Sequence, residues 1–145
     1  MLESFFQKVL ELKNVPRRGW QNKLKLEDVE SVSDHSYSVA MMSMVLSDLQ
    51  DLNTEKIIKM ALLHDLAESV VGDITPDEIK NEKKINMENQ AMKQILENLP
   101  SNISQKYNAL WDDFQNNSSM EANLLHEIDK LEMAFLELWP DWSSW

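Results

Sequence analysis

Cysteine is absent from this 145-residue chain, and glycine occurs only twice. The absence of cysteine excludes a disulfide framework, thiolate catalysis and cysteine-based zinc sites. So few glycines argue against a glycine-rich phosphate-binding loop and against a β-sandwich with many tight turns. No apolar run approaches the roughly 18 residues of a membrane span, so we expect no membrane partner. The length suits one domain whose core needs no covalent staples.

Basic residues are also scarce: 14 Lys and Arg stand against 25 Asp and Glu, for a formal net charge of −11. Nucleic acids bind basic surfaces, so we expect no nucleic-acid partner. The first residues contain Glu3 and Glu11 and no small-residue cleavage site, so we expect no signal peptide and a cytoplasmic location. The only arginines, Arg17 and Arg18, are adjacent and lie close to Trp20 in the sequence. This local concentration of guanidinium groups predicts a site for a small anion.

Apolar residues recur at helical spacing along most of the chain, which predicts a single all-α domain over residues 1–145, a bundle of about six helices. Ser33 and Thr54 are the expected N-caps of two helices, and Gly72 is the expected end of one. Capping boxes are predicted at Thr75–Glu78 and at Ser118–Glu121. With their caps, the predicted helices cover residues 2–13, 33–49, 54–71, 75–99, 103–114 and 118–138.

Four ionisable side chains occupy predicted inward positions on three of these helices. His64 shares a helical face with apolar residues, and Asp65 beside it has apolar neighbours. His35 begins the apolar stripe of its own helix, and Asp129 falls outside the polar arc of the last helix. For any one of them, a satisfied core histidine or a structural ion pair is the simpler interpretation. Together, two imidazoles and two carboxylates indicate a site for one divalent metal ion such as Mn²⁺, Co²⁺, Fe²⁺ or Zn²⁺.

The same helical spacing gives further expectations about burial. Glu132 falls beside the apolar stripe of the last helix and is expected in a buried ion pair. His126 falls on the polar arc of that helix and is expected to be an exposed surface residue. The methionines at helical spacing are expected to belong to the core rather than to a cofactor site: Met41, Met42, Met44 and Met60.

The order His35, His64-Asp65, Asp129 resembles the H…HD…D signature of the HD-domain metal-dependent phosphohydrolases. Further blocks resemble the 5′-deoxynucleotidase branch of that family and stand in the same order. The similarity covers most of residues 5–138. The blocks are Pro16–Trp20 (PRRGW), Glu30–His35 (ESVSDH), Leu63–Glu68 (LHDLAE), Val71–Ile74 (VGDI), Glu88–Ile95 (ENQAMKQI) and Asp129–Ala134 (DKLEMA).

The resemblance implies the HD-domain fold, an all-α bundle that holds one divalent metal ion, with His35, His64, Asp65 and Asp129 as its ligands. Mg²⁺ joins the candidate metals on this ground. The implied activity is that of a 5′-nucleotidase, which removes the 5′-phosphate from (deoxy)nucleoside monophosphates by attack of metal-activated water. Glu68 matches the position that orients or deprotonates this water.

The resemblance also implies roles for residues that contact the substrate. Arg17 matches a phosphate-binding arginine, and Arg18 beside it is placed to assist. Trp20 would stack on the base or close the pocket, while Asp73 and Thr75 would face the sugar. Considered without the resemblance, Thr75 is explained as a helix N-cap, Asp73 as a turn residue and Trp20 as a core residue.

Family members usually continue past the segment that corresponds to Asp129–Ala134, whereas this sequence ends at Trp145. We expect the three tryptophans among the last seven residues to cover the core or the interface of a homodimer. Two alternative functions stay open: an HD hydrolase of nucleoside triphosphates or cyclic phosphodiesters, and a non-enzymatic helical interaction module with a structural metal. The acidic composition argues against long polyanionic substrates. Glu68 and the two arginines argue against the interaction module, which needs none of them.

Overall fold

A computed structural model describes residues 1–18, 29–75 and 78–138. Within these ranges the regular structure is helical, and β pairing is confined to an isolated antiparallel bridge between Pro16 and Ser31. The predicted all-α fold class is confirmed. None of the described helices combines the length and apolar character needed to cross a membrane. The helices are α1 (Leu2–Glu11, followed by a 3₁₀ turn, Leu12–Asn14), α2 (Val32–Leu49), α3 (Thr54–Leu63), α4 (Glu68–Val71), α5 (Asn81–Leu96), α6 (Ser101–Asn116) and α7 (Met120–Leu138).

The N-terminus of α2 is a reciprocal capping box formed by Ser31 and Asp34. Ser31 Oγ accepts a hydrogen bond from the Asp34 backbone N–H at 3.1 Å, and the Asp34 carboxylate accepts one from the Ser31 N–H at 3.0 Å. Each side chain thereby satisfies a backbone donor that a helix end leaves unpaired. The predicted cap, Ser33, lies inside α2, so that prediction was wrong by two residues.

Two other helices have caps that lie one residue from the predicted ones. Asn53 rather than Thr54 caps α3, because Asn53 Oδ1 accepts a hydrogen bond from the Lys56 N–H at 3.0 Å. Ser119 rather than Ser118 precedes α7, and its Oγ accepts from the backbone N–H of Ala122 at 3.1 Å. In each case two neighbouring residues carry an oxygen that can cap a helix.

The helix predicted over residues 54–71 is interrupted. α3 ends at Leu63, the chain turns through residues 64–67, and α4 follows. His64 Nδ1 donates to the carbonyl of Ala61, an oxygen that a continuous helix would pair with the backbone N–H of residue 65. Gly72 ends α4 as predicted: its φ is 75°, and its N–H bonds the Glu68 carbonyl at 2.8 Å.

The start of α5 differs more from prediction. α5 begins at Asn81, whereas a capping box at Thr75 was expected to open it. Glu78, the acidic member of that predicted box, forms a hydrogen bond with Arg18 instead. Pro76 and Asp77, which the same prediction involves, lie outside the described residues.

The end of α5 and both ends of α6 fall two or three residues from prediction, whereas the end of α7 agrees with it. α5 ends at Leu96, before Pro100, and α6 begins at Ser101, two residues earlier than expected. The Pro100 carbonyl accepts the backbone N–H groups of Ile103 and Ser104, each at 2.9 Å, and so starts the first turn of α6. α7 ends at Leu138 as predicted. The predictions for the tryptophans after it concern residues outside the described part.

The chain divides into two units. The first consists of Met1–Asp34 and Asp65–Ala109, and the second of His35–His64 and Leu110–Trp145. In the first unit α1 contacts α4 and α5, and in the second α3 packs against α7. The buried apolar residues of the first unit are Leu12, Val32, Leu66, Ala67, Ile74, Ala91, Met92, Ile95 and Leu96. Those of the second are Val39, Ala40, Ile57, Met60, Ala61, Leu63, Trp111, Phe114, Ala122, Leu125 and Ile128.

The predicted methionine core is confirmed only in part. Met60 is buried as expected, whereas Met41 is exposed on α2. An apolar groove of about 440 Å³ lies between α2 and α7 within the second unit, with Met41, Met42, Val45, Leu46, Leu131 and Phe135 lining it.

Candidate metal centre

His35 occupies the first turn of α2 and is fully buried, with 0% of its surface exposed. Its Nε2 lies 2.7 Å from Asp129 Oδ1, and its Nδ1 lies 2.9 Å from Glu132 Oε2. Asp129 and Glu132 are three residues apart on α7, so their side chains leave the helix on the same side. A carboxylate therefore meets each ring nitrogen and fixes the orientation of the imidazole.

His64 directly follows α3 and is also buried. Its Nδ1 is bonded to the carbonyl of Ala61, and since a carbonyl can only accept, Nδ1 carries the proton. Its Nε2 faces Asp129 Oδ1 at 3.5 Å. The ring packs edge-on against Phe114 at a centroid distance of 5.6 Å, which limits its rotation.

Asp129 is the carboxylate that both imidazoles face. Its side chain is 35% exposed, so the predicted burial is only partial. Burial raises the pKa of its carboxyl group, but hydrogen bonds and charge interactions with His35 and His64 outweigh that effect and hold the pKa well below the ordinary value of 3.8. Asp129 is therefore ionised at neutral pH, as a metal ligand must be.

His35, His64 and Asp129 each offer a ligand atom within 4.8 Å of the others. Two imidazole nitrogens and one carboxylate oxygen form a donor set that suits divalent transition metals. The hydrogen bond on Nδ1 of each ring leaves Nε2 as the atom that points to the shared carboxylate. These three residues therefore form a candidate site for a divalent metal ion within the second unit.

Asp65, the fourth predicted ligand, is the residue after His64 and belongs to the first unit. Its Oδ2 lies 3.7 Å from Arg17 Nη1, and Arg17 Nε lies 3.8 Å from Glu30 Oε1. The Arg17 backbone N–H also donates to the Glu30 carbonyl at 2.9 Å. Arg17 is buried, so its guanidinium is held between two carboxylates in a fixed place. The sequence predicts a phosphate contact for Arg17, whereas these two carboxylate partners were not predicted.

Arg18 and Asp73, both predicted to contact the substrate, meet in the first unit. The Arg18 backbone N–H donates to Asp73 Oδ2 at 2.9 Å. The Arg18 guanidinium pairs with the Glu78 carboxylate, with Nη1 at 3.1 Å from Oε2. Asp73 therefore anchors the chain at Arg18, and Glu78 orients its side chain. Helical spacing could not reveal the Glu78 pairing, because the two residues are sixty positions apart.

The remaining predicted site residues have local partners or lie outside the described part. Glu68, the first residue of α4, is buried, and its backbone N–H donates to the Asp65 carbonyl at 3.0 Å. Thr75 is buried as well, and its carbonyl accepts the Glu78 N–H at 3.1 Å. Trp20 lies outside the described residues.

The prediction that His126 is an exposed surface residue is wrong. It is half-buried on α7, its Nε2 bonds the Phe114 carbonyl at 2.8 Å, and its ring stacks on Phe114 at a centroid distance of 4.2 Å. The neighbouring α6 covers a position that helical periodicity places toward solvent. His126 is therefore a structural contact between α6 and α7.

The fold and this site identify the class of protein. The family model described as HD domain matches residues 9–145, and the chain belongs to the HD-domain family. Among solved structures, a conserved hypothetical protein from Pyrococcus furiosus superposes with a TM-score of 0.82 at 29% identity, covering 96% of this chain and 82% of that one.

Curated relatives give the comparison more detail. The human protein named 5′-deoxynucleotidase HDDC2 is 42% identical over 133 residues, which make up 91% of this chain and 64% of the relative. The mouse protein of the same name is 44% identical over 130 residues, 89% of this chain and 64% of the relative. The chain therefore spans just under two thirds of the length of these relatives.

Proposed function

We propose that the chain is a metal-dependent 5′-nucleotidase that removes the 5′-phosphate from (deoxy)nucleoside monophosphates. The observation that carries the proposal is the convergence of His35, His64 and Asp129 Oδ1. Identity to mammalian proteins named 5′-deoxynucleotidase HDDC2 supports this choice of substrate class. The continuous match of the family model supports one HD domain.

The ligands in this proposal are His35, His64, Asp129 and, by its place in the HD pair, Asp65. A bound divalent ion supplies Lewis acidity at a phosphoryl oxygen and lowers the pKa of water. The mixed nitrogen and oxygen donors are compatible with Mn²⁺, Co²⁺, Fe²⁺ or Zn²⁺, and Mg²⁺ remains a candidate from the resemblance. The protein fixes the donors in place before any ion binds, because both imidazoles have their Nδ1 atoms anchored.

Glu68 is the proposed residue that orients or deprotonates the attacking water. It is a buried carboxylate at the start of α4, four positions after His64. A general base of this kind contributes about 10²- to 10⁴-fold to the rate.

Arg17 is the proposed phosphate-binding residue, and Arg18 assists it. A guanidinium group can bind two phosphate oxygens at once. The carboxylates of Glu30 and Asp65 hold Arg17 in one orientation, which reduces the entropy lost when a phosphate binds. Asp73 and Thr75 are proposed to face the sugar and Trp20 to face the base.

Two further proposals concern assembly and location. Exposed apolar residues recur every four positions along α2: Tyr37, Met41, Val45 and Leu49. Such patches mark interaction surfaces, and we propose that a second copy of the chain covers this one. Light scattering tests this homodimer by its molar mass.

We also propose a cytoplasmic location, for which the absence of cysteine is the supporting observation.

Phosphate release from a nucleotide panel tests the proposed activity. The panel comprises dAMP, dCMP, dGMP, TMP, the ribonucleoside monophosphates, nucleoside triphosphates and a cyclic dinucleotide, each with Mn²⁺ or Co²⁺. We expect release from the monophosphates, and no release from any of them by metal-containing protein would refute the proposal. Release from triphosphates or cyclic phosphodiesters alone would favour the alternative hydrolase.

Glu68→Gln separates an enzyme from a metal-clamped interaction module. We expect turnover to fall at least 100-fold while metal content and helicity stay unchanged, because the amide cannot take a proton. Glu82→Gln, at an exposed carboxylate in the first turn of α5, is the matched control and should keep full activity. Full activity of Glu68→Gln would remove Glu68 from the mechanism.

A further inference from the structure

Glu132 is a buried carboxylate on α7 that has no part in the function proposed above. Its side chain is only 5% exposed, and its Oε2 lies 2.9 Å from His35 Nδ1. Removing a carboxylate from water costs free energy unless a close partner compensates. Glu132 and Asp129 contact opposite sides of the His35 ring, so we asked what a buried carboxylate on the Nδ1 side does.

The two histidines of the metal centre are oriented by different groups. The Nδ1 of His64 bonds the backbone carbonyl of Ala61, which belongs to the turn of helix just before it. His35 lies in the first turn of α2, where a side chain on α7 performs the same task. A carboxylate, like a carbonyl, can only accept, so each contact requires a proton on Nδ1. In both rings Nε2 faces Asp129 Oδ1, at 2.7 Å from His35 and 3.5 Å from His64. The 2.7 Å contact is a hydrogen bond from His35 Nε2 to the carboxylate, and a metal ion bound at this nitrogen would displace that proton and leave the one on Nδ1.

We propose that Glu132 is a positioning residue that keeps His35 protonated on Nδ1 and directs its Nε2 to the metal ion. Asp129 and Glu132 are three positions apart on α7, and each contacts one ring nitrogen of His35. Carboxylates in this position also raise the basicity of the ligating nitrogen, and their loss typically weakens metal binding 10- to 100-fold. The inference rests on the proposal that His35 is a ligand.

The test is a calorimetric titration of metal-free protein with Zn²⁺, comparing wild type, Glu132→Gln, His35→Ala and Glu127→Gln. Glutamine keeps the shape of Glu132 but offers both a donor and an acceptor, so it no longer selects one tautomer of His35. We expect about a tenfold higher Kd for Glu132→Gln. Glu127→Gln, at an exposed carboxylate on the same helix, is the control and should bind Zn²⁺ as the wild type does.

The outcomes separate this inference from the ligand proposal. Loss of binding in His35→Ala together with weaker binding in Glu132→Gln supports both. Loss in His35→Ala with a Kd within twofold of wild type for Glu132→Gln overturns the positioning role and leaves the ligand in place. Wild-type binding by His35→Ala overturns the ligand proposal itself. A purely structural Glu132 would lower the melting temperature of the metal-free variant without changing the Kd.

A measurement on wild-type protein keeps the inference testable if Glu132→Gln does not fold. Long-range ¹H–¹⁵N correlation spectra of the Zn²⁺-loaded protein report which ring nitrogen of each histidine carries the proton. We expect His35 to be protonated on Nδ1. A spectrum with His35 protonated on Nε2 would overturn the inference.

Discussion

Hydrogen bonds from neighbouring side chains set the charge state of two aspartates in the second unit. Asp129 is held ionised by His35 and His64. Asp113 on α6 lies 2.8 Å from Lys56 Nζ on α3. Burial raises the pKa of Asp113, but hydrogen bonds from Lys56 and Ser119 outweigh this and lower the pKa below 3.8. One aspartate thus serves the candidate metal centre, and the other joins α3 to α6.

The Asp113 pair predicts a particular dependence of stability on pH. Because the pKa of Asp113 is lower in the folded state than in the unfolded chain, the pair stabilises the protein above about pH 4. That contribution disappears as the pH falls through the lowered pKa. We expect Asp113→Asn to reduce the free energy of unfolding by about 1 kcal/mol at pH 7, with a difference from wild type that shrinks below about pH 4.

Urea unfolding at a series of pH values checks this prediction. The matched control is Asp112→Asn, which alters the exposed neighbouring carboxylate. It should leave stability within about 0.5 kcal/mol of wild type at every pH. A constant difference between Asp113→Asn and wild type from pH 7 to pH 3 would contradict the assigned role of the pair.

Helical periodicity predicts which ionisable residues are buried but not which groups they meet. It placed His35 and His64 inward correctly, because the spacing of apolar neighbours defines a helix face. It could not predict that Glu132 would meet His35, since that contact joins two helices almost a hundred residues apart. It also misplaced His126, because the cover comes from α6 rather than from its own helix.

At the scale of helices, capping geometry separates neighbouring candidates that sequence alone cannot rank. Ser31 and Ser33 can both cap a helix, as can Asn53 and Thr54. The structure selects the residue whose side-chain oxygen reaches the backbone N–H three positions later. For α2, the selected residue, Ser31, also forms the isolated bridge with Pro16, a pairing that local sequence does not encode.

Because Ser31 caps α2, we expect its substitution to destabilise the protein more than the substitution of Ser33. Ser31→Ala removes the acceptor for the Asp34 N–H and should lower the free energy of unfolding by about 1 kcal/mol. Ser33→Ala, at the residue favoured by sequence, should change it by less than about 0.5 kcal/mol. Chemical denaturation followed by circular dichroism measures both. Equal losses, or a larger loss for Ser33→Ala, would contradict the assignment.

The break between α3 and α4 lies at a candidate metal ligand, His64. Apolar periodicity continues through residues 54–71, so the sequence predicts one helix. The side chain of His64 takes the Ala61 carbonyl, and the following turn is closed by bonds such as that from the Glu68 N–H to the Asp65 carbonyl. The bond that orients His64 as a candidate ligand is therefore also a bond that ends α3.

At the scale of the whole molecule, the net charge of −11 and the proposed anionic substrate are compatible. The repulsion between the acidic protein and an anionic substrate can be offset locally. The only two arginines of the chain are adjacent, and the chain has a candidate site for a divalent cation. The all-α class and the HD-domain family could be read from the sequence, since they rest on periodicity and on motifs in order. Pairings such as Arg17 with Glu30 required the structure.

The metal content of the purified protein is the most direct test of the proposed metal centre. Elemental analysis of wild type should find one divalent ion per chain, and His64→Ala should lose it because Nε2, the proposed ligand atom, is removed. His126→Ala is the matched control, since that histidine stacks on Phe114 and is not a ligand in this account. Circular dichroism verifies that each variant is folded. Folded His64→Ala with the metal content of wild type would show that His64 is not a metal ligand.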